Sequence, residues 1–183
     1  MKRAAMISTG ESTLGPFFPP RYVDAGVNDL TVFDGRKAKG EVIEIRGRVV
    51  QEDGAALENL IVEIWQADAG GIFRHPADPR HAQADPDFLG WGRAATDAGG
   101  GYVFRTIRPG VPGGRAPHVN FMLMFSGLMR ILKTTMFFEN GPDPVLEAVP
   151  PSRRNLLVAR KEKNIFTFDI HLRGENETPF FDD

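Results

Sequence analysis

The chain has 183 residues, contains no cysteine, and carries 22 Lys and Arg against 24 Asp and Glu, a formal net charge of −2. The absence of cysteine excludes disulfides and cysteine-ligated metal centres, and the balanced charge without a basic run argues against nucleic-acid partners. The longest apolar run, residues 121–125, is too short to cross a bilayer, and the N-terminus turns polar before a signal-peptide core develops, so we expect a soluble, cytoplasmic protein with no membrane partner.

The first twenty residues differ in character from the rest of the chain. They end in GPFFPP, which is rich in Pro and Phe and shows no periodicity. We interpret residues 1–20 as an extended apolar arm that packs on another surface, and residues 21–183 as the folded domain.

Two strands are predicted in the first half of the domain. Residues 42–50 lead into a turn at residues 52–55, and residues 61–66 follow it. In the second strand the alternation puts Val62 and Ile64 on one face and Glu63 and Trp65 on the other, as expected when one face is buried.

The second half continues the same pattern. A turn at residues 97–100 leads into a strand, and a Pro/Gly-rich loop then runs to Pro117. The strands predicted here are residues 102–106, 118–125, 133–138 and 165–172. Ser152 can cap a short helix that continues to Ala159. Several short strands indicate a mainly β fold, either a sandwich or a barrel, with long loops and one or two short helices.

The four histidines are not spaced like zinc ligands. His75 and His81 fall in a Pro/Asp-rich loop and are expected to be solvated, whereas His171 is expected on the polar face of its strand. His118 and Asn120 are two apart, so a strand would project both from one face, but an amide oxygen is a weak ligand beside an imidazole. The spacing favours His118 as a semi-buried, hydrogen-bonded residue rather than a ligand.

Four blocks, in this order and spacing, resemble the intradiol ring-cleavage dioxygenases. They are residues 62–71 (VEIWQADAGG), 104–110 (FRTIRPG), 115–121 (RAPHVNF) and 168–174 (FDIHLRG). The resemblance runs from about Thr13 to the end of the chain. It implies a single-domain β-sandwich, and an enzyme class that opens catechol rings with O2 by means of a non-haem Fe(III).

The resemblance also implies the iron ligands, two tyrosines and two histidines, and most of them are missing here. Phe73 stands at the first tyrosine, the loop of the second tyrosine (residues 111–114) has none, and Asn120 stands at the second histidine. Only His118 remains, with Arg115 as part of the remnant pocket. The chain's two tyrosines, Tyr22 and Tyr102, fall elsewhere. We therefore expect no metal and no catalytic residue in this chain.

Some members of the family consist of two homologous chains, of which one has lost the ligands. The resemblance implies that this chain is of that kind, and that a homologous partner holds the Fe(III) in a higher hetero-oligomer. Thr13, Gly15 and Pro16 of the arm would then form part of the wall of the substrate pocket at the shared interface. An arginine that contacts the substrate carboxylate is replaced by Ser126, and Arg130 or Lys133 would substitute for it.

Two other interpretations remain open. The chain can be a stand-alone β-sandwich binding module descended from such an enzyme, recognising an aromatic ligand or a protein. Alternatively, the chain retains a relic metal site in which His118 binds the ion together with other donors. A co-purifying chain that has the same blocks and all four ligands would favour the subunit interpretation.

Overall fold

Alternating apolar and polar side chains build the strands, because successive residues of a strand point to opposite faces. The structure is a computed structural model that describes residues 27–126, 128 and 130–181. Over these residues the strands are β1 (Val32–Phe33), β2 (Arg36–Lys37), β3 (Val42–Val50), β4 (Ile61–Gln66), β5 (Trp91–Ala95), β6 (Gly101–Ile107), β7 (His118–Met124), β8 (Leu132–Phe137), β9 (Arg160–Glu162), β10 (Ile165–Thr167) and β11 (Ile170–His171). One α-helix, α1 (Pro144–Ala148), and 3₁₀ helices at His81–Gln83 and Pro151–Leu157 complete the described elements.

The strands form two main sheets and a small β1–β2 hairpin. In the first sheet β3 is central: β6 pairs with one edge antiparallel, and β10 and β11 pair in succession with the other edge in parallel. β9 extends this sheet beside β10. The second sheet is antiparallel throughout, in the order β5-β4-β7-β8.

The core lies between the inner faces of the two sheets. Ile45 of β3 and Phe104 of β6 meet Ile64 of β4 and Phe121 of β7 in one buried cluster, and all four side chains are fully buried. Each such side chain contributes roughly 1.5–3 kcal/mol by leaving water. The predicted β-sandwich is confirmed.

Most of the predicted strands are confirmed, and two have the predicted bounds. β3 spans residues 42–50 and β4 spans residues 61–66. Val62 and Ile64 belong to the core cluster, while Glu63 lies on the opposite face and pairs with Arg93 of β5. β6, β7 and β8 differ from the predicted strands by one or two residues.

The predicted strand at residues 165–172 is wrong as a single element. It is divided into β10 and β11, and Phe168 and Asp169 lie between them. At the break the Phe168 carbonyl turns toward β3, where a Cβ on Gly47 would lie 1.8 Å from its oxygen. Only a residue without a side chain allows this approach.

The predicted helix at residues 152–159 is also corrected. The residues form a 3₁₀ helix from Pro151 to Leu157, with Pro150 at the N-cap and no side-chain cap from Ser152. α1, which sequence reasoning missed, begins after Asp143, whose carboxylate accepts from the Val145 amide at 2.8 Å. An Asp before a Pro at the first helical position is the signal that would have located it.

β5 was missed as well. Its sequence, WGRAA, contains Gly and Ala, which are poor strand formers, so pairing with β4 rather than local preference makes it a strand. Across the described ranges no helix is long and apolar enough to span a membrane. The predicted arm, residues 1–20, lies outside the described residues.

Candidate functional site

A cavity of about 440 Å³ opens at one end of the second sheet. β4 and β7 form its floor, and the loops that follow β4 and β6 form its walls. The residues around it are Trp65, Phe73, His75, Ala77, Asp78, Pro79, Arg80, Pro112, Gly113, Arg115, His118 and Asn120. The structure therefore brings Phe73, Arg115, His118 and Asn120 together, although they are up to 47 positions apart in the sequence.

The wall after β4 is held in shape by Asp78. Its carboxylate accepts from the Phe73 amide at 3.1 Å and from the Arg80 amide at 2.8 Å, and the Arg80 side chain also donates to it. These backbone hydrogen bonds, with the Arg80 guanidinium, lower the pKa of Asp78 below its ordinary value. Arg80 Nη2 reaches back to the Gly71 carbonyl at 2.7 Å, which closes the loop on itself.

The two walls meet at Gly71. Its φ of +74° is in the region that favours glycine, and a Cβ there would lie 2.2 Å from the Val111 carbonyl oxygen. The loop after β4 thus rests directly against the loop after β6. This contact positions Phe73 beside the start of β7.

Aromatic rings line one side of the cavity. The ring centroids of Trp65 and Phe73 are 5.0 Å apart, and those of Trp65 and His75 are 5.5 Å apart with nearly perpendicular planes. The Phe73 and His118 rings lie 6.1 Å apart. The arrangement presents flat apolar surface and ring edges to any molecule that enters.

His118 is almost completely buried at the start of β7, and its Nδ1 lies 2.7 Å from the Ala116 carbonyl oxygen. Because a carbonyl only accepts, Nδ1 carries the proton and Nε2 is the unprotonated nitrogen of the neutral ring. Burial, followed by the charge of Arg115, lowers the pKa of His118 below its ordinary value. His118 is hydrogen-bonded, as its spacing indicated, but it is more deeply buried than the semi-buried position expected.

Asn120 is used for holding strands together. Its amide nitrogen donates to the Trp65 carbonyl on β4 at 3.3 Å, and its amide oxygen accepts from the Thr135 hydroxyl on β8 at 3.3 Å. The oxygen that would have to serve as a ligand therefore already has a donor. Asn120 acts as a polar connection across three strands.

Arg115 is anchored by Asp143, a residue that the sequence interpretation overlooked. Arg115 Nε lies 2.7 Å from Oδ2 of Asp143, whose side chain is fully buried, and the Ala116 amide donates to the same oxygen at 3.0 Å. Burial alone would raise the pKa of Asp143, but the hydrogen bonds from Arg115 and the backbone amides outweigh it, and the pKa is lowered. Arg115 is thus held at the edge of the cavity by its ion pair with Asp143.

The residues around the cavity do not fit a ferric ion. Phe73 has no oxygen, the amide oxygen of Asn120 is engaged, and the hydroxyl of Tyr102 donates instead to the carbonyl of Phe168, in the first sheet. Among the residues that the structure describes, no three His, Cys, Asp or Glu side chains converge as a metal site would require.

Of the remaining predicted site residues, those that the structure describes do not line this cavity. Ser126 and Arg130 fall between β7 and β8, and Lys133 lies on β8. Thr13, Gly15 and Pro16 are outside the described ranges. His75 and His81 are both exposed, as expected, but His75 also lines the cavity, which its loop sequence did not indicate.

A larger cavity, of about 580 Å³, lies across the outer face of β3 and β6. Its cations include Arg48, which donates to the Gly99 carbonyl, and Arg160, which pairs with Asp169 at 2.6 Å. It contains none of the residues that the four sequence blocks place in a site. The smaller cavity is therefore the candidate functional site.

Known proteins resemble this chain along most of its length. The family model described as dioxygenase matches residues 14–174. The chain is 38% identical over 159 residues to the protocatechuate 3,4-dioxygenase beta chain of Burkholderia cepacia, a match that covers 76% of this chain and 68% of that one. It is 32% identical over 196 residues to the alpha chain of the enzyme from the same organism, covering 95% of this chain and 96% of that one.

A solved structure shares the fold. The dioxygenase domain of a dioxygenase carbohydrate-binding protein fusion from Streptomyces sp. SirexAA-E superposes with a TM-score of 0.59 at 24% identity, covering 90% of this chain and 97% of that chain. The match to the family model over residues 14–174 spans all four sequence blocks. The chain belongs to the intradiol ring-cleavage dioxygenase family.

Proposed function

We propose that this chain is the non-catalytic alpha subunit of a protocatechuate 3,4-dioxygenase, which cleaves protocatechuate with O2 to 3-carboxy-cis,cis-muconate in aromatic catabolism. A homologous beta chain holds the Fe(III), and this chain binds none. The observation that carries the proposal is that one cavity is lined by Phe73, Asn120 and His118, the positions at which the resemblance implies iron ligands and of which only His118 could serve as one. The match along nearly the full length of the Burkholderia cepacia alpha chain supports the same assignment.

In this proposal the chain contributes shape and position rather than chemistry. Residues 1–20 pack on the beta chain, where Thr13, Gly15 and Pro16 form part of the wall around the substrate. The Thr13 hydroxyl can donate or accept a hydrogen bond, and the backbone at Gly15 can approach the substrate closely because no Cβ intervenes. Holding a substrate in one orientation accelerates a reaction without any reactive side chain.

The carboxylate of the substrate needs a cation, and Ser126 cannot supply one. Arg130 follows it in the same connection between β7 and β8 and has an exposed side chain, with Lys133 as the next cation. Because both lie apart from this chain's own cavity, their role would be toward the pocket of the beta chain. We assign the carboxylate contact to Arg130, which offers a planar, two-pronged donor.

The test is to purify the full chain alone and after co-expression with a homologue from the same genome that has all four ligands. Iron content and protocatechuate-dependent O2 uptake are then measured for both preparations. We expect iron and turnover only in a co-purified complex. Iron and turnover in the lone chain would overturn the proposal.

A stand-alone binding module is the alternative, and the cavity is the observation that favours it. It predicts a soluble lone chain that forms no complex with a four-ligand homologue. Failure to co-purify would therefore favour the module. We place either protein in the cytoplasm, which the cysteine-free composition supports.

A further inference from the structure

We infer that the cavity of this chain is itself a binding site for a planar aromatic monocarboxylate, held without a metal ion. The site would be additional to the one on the iron of the proposed beta chain. It requires only residues of this chain, so it stands whether or not that partner exists.

The shape of the cavity suits a flat ring. Its volume of about 440 Å³ lies within the roughly 300–1,000 Å³ of small-molecule sites. Trp65 contacts Phe73 and His75 at 5.0 and 5.5 Å between ring centroids, so the three rings form one continuous aromatic wall. A planar ring can stack on this wall or meet it edge-on, which a saturated ring cannot do equally well.

The charges around the cavity select an anion. Arg80 is neutralised by Asp78, to which it donates twice, and it also donates to the Gly71 carbonyl. Arg115 uses only Nε on Asp143, and its terminal nitrogens make no hydrogen bond to any residue in the described ranges. Its side chain is 31% exposed at the cavity, whereas Asp143 is fully buried behind it. An entering carboxylate would therefore meet the terminal nitrogens of Arg115. An entering cation would find the Asp143 carboxylate buried and the Asp78 carboxylate already paired with Arg80.

Two imidazoles add polar specificity. His75 Nδ1 accepts from the Ala77 amide at 3.2 Å, so in the neutral ring the proton is on Nε2, which is a donor. His118 has the opposite tautomer, with Nδ1 donating to Ala116, and Nε2 is an acceptor. A ligand ring that carries a hydroxyl group as well as the carboxylate can accept a hydrogen bond from His75 Nε2 and donate one to His118 Nε2.

The test is calorimetric titration of the full, chelator-treated chain with benzoate, with cyclohexanecarboxylate and benzamide as matched ligands that lack the aromatic ring or the charge. We expect one saturable benzoate site per chain and weaker binding of the other two. Arg115→Gln should weaken benzoate binding about tenfold or more, because it removes the charged donor. His75→Ala should weaken it roughly two- to tenfold, because it removes one ring of the wall.

The matched control is Arg74→Gln. Arg74 is an exposed arginine that lies over the Phe33 ring, 5.0 Å from its centroid, and is not part of the cavity. It should leave the affinity unchanged. Circular dichroism checks that each variant folds. If Arg115→Gln does not fold, the benzoate affinity of His75→Ala tests the inference in its place.

Each of the following results would overturn the inference: no saturable binding of benzoate up to roughly 10 mM, binding of cyclohexanecarboxylate or benzamide as tight as that of benzoate, or an affinity for benzoate that a folded Arg115→Gln or His75→Ala variant leaves unchanged. The readout is independent of iron and turnover, so its failure is distinguishable from failure of the proposed subunit function.

Discussion

The hydroxyl of Tyr102 on β6 donates a 2.5 Å hydrogen bond to the carbonyl oxygen of Phe168, at the point where β10 ends and β11 has not yet begun. The tyrosine is buried, and burial raises the pKa of its hydroxyl well above the ordinary value of 10.0, so it remains a donor. The bond joins two residues that are 66 positions apart across the central strand. It satisfies a carbonyl that the interrupted strand leaves without a ladder partner.

Tyr102→Phe should therefore lower the free energy of unfolding by about 1–3 kcal/mol, because a buried carbonyl loses its donor while the ring packing is retained. This change in the free energy of unfolding is measured by urea denaturation monitored by circular dichroism. A change below about 0.5 kcal/mol would mean that water or another donor replaces the hydroxyl.

Gly47→Ala should be more damaging than Tyr102→Phe. A Cβ at this position would lie 1.8 Å from the Phe168 oxygen and 2.8 Å from the Tyr102 hydroxyl, so the backbone at the break must move. We expect a loss of about 3 kcal/mol or more, or failure to fold. Gly141→Ala is the matched control, since a Cβ there would meet nothing within 4 Å. Equal stability of the two variants in urea unfolding would contradict the structure at this contact.

Stability should fall in two steps as the pH is lowered. The pKa of His118 is depressed from its ordinary value of 6.5, so the unfolded chain binds this proton more readily, and stability declines as the pH falls below about 6.5. The pKa of Asp143 is depressed from 3.8, so its contribution is present above that value and is lost as the pH falls through the lower pKa of the folded protein.

The step due to His118 can be separated by mutation. His118→Asn keeps a donor near the Ala116 carbonyl but does not titrate, so it should remove the first decline and leave the second. Urea midpoints measured between about pH 2 and 8 test this, because the step due to Asp143 lies at the acidic end of that range. A decline of the same size in His118→Asn would show that other groups cause it.

Asn120→His should create a divalent metal site. The new imidazole would stand on the same face of β7 as His118, two residues away, and we expect affinity for Zn²⁺ to rise about tenfold or more. Loss of the hydrogen bonds to Trp65 and Thr135 should cost about 1–2 kcal/mol of stability. Zinc titration by calorimetry measures the gain, and adding His118→Ala should abolish it. A gain that survives His118→Ala would mean that the two imidazoles do not share the ion.

Arg130→Ala tests the proposed carboxylate contact in the co-purified complex. We expect the KM for protocatechuate to rise about tenfold with little change in kcat, because a charged hydrogen bond to a non-reacting group is lost. Lys37→Ala, an exposed cation on β2, is the matched control. An unchanged KM would remove this assignment and leave Lys133 as the remaining cation of the segment.

Local pattern was sufficient to predict the central strands, and the resemblance to the family implied the loss of the ligands. β3 and β4 have the predicted bounds because apolar residues alternate along them and turn residues limit them. The absence of tyrosine from the loop after β6, and Asn120 two residues after His118, are facts of composition and spacing. They are independent of how the chain folds.

The tertiary structure decided what the local pattern does not contain. The break between β10 and β11 depends on Gly47 and Tyr102, which come from other strands and meet the Phe168 carbonyl only in the folded protein. The cavity likewise depends on Asp143, which is 28 residues after Arg115 and holds it by a buried carboxylate. Periodicity reports only which face of an element is apolar, whereas a hydrogen bond or a close backbone approach between distant segments requires both to be brought together by the packing of the two sheets.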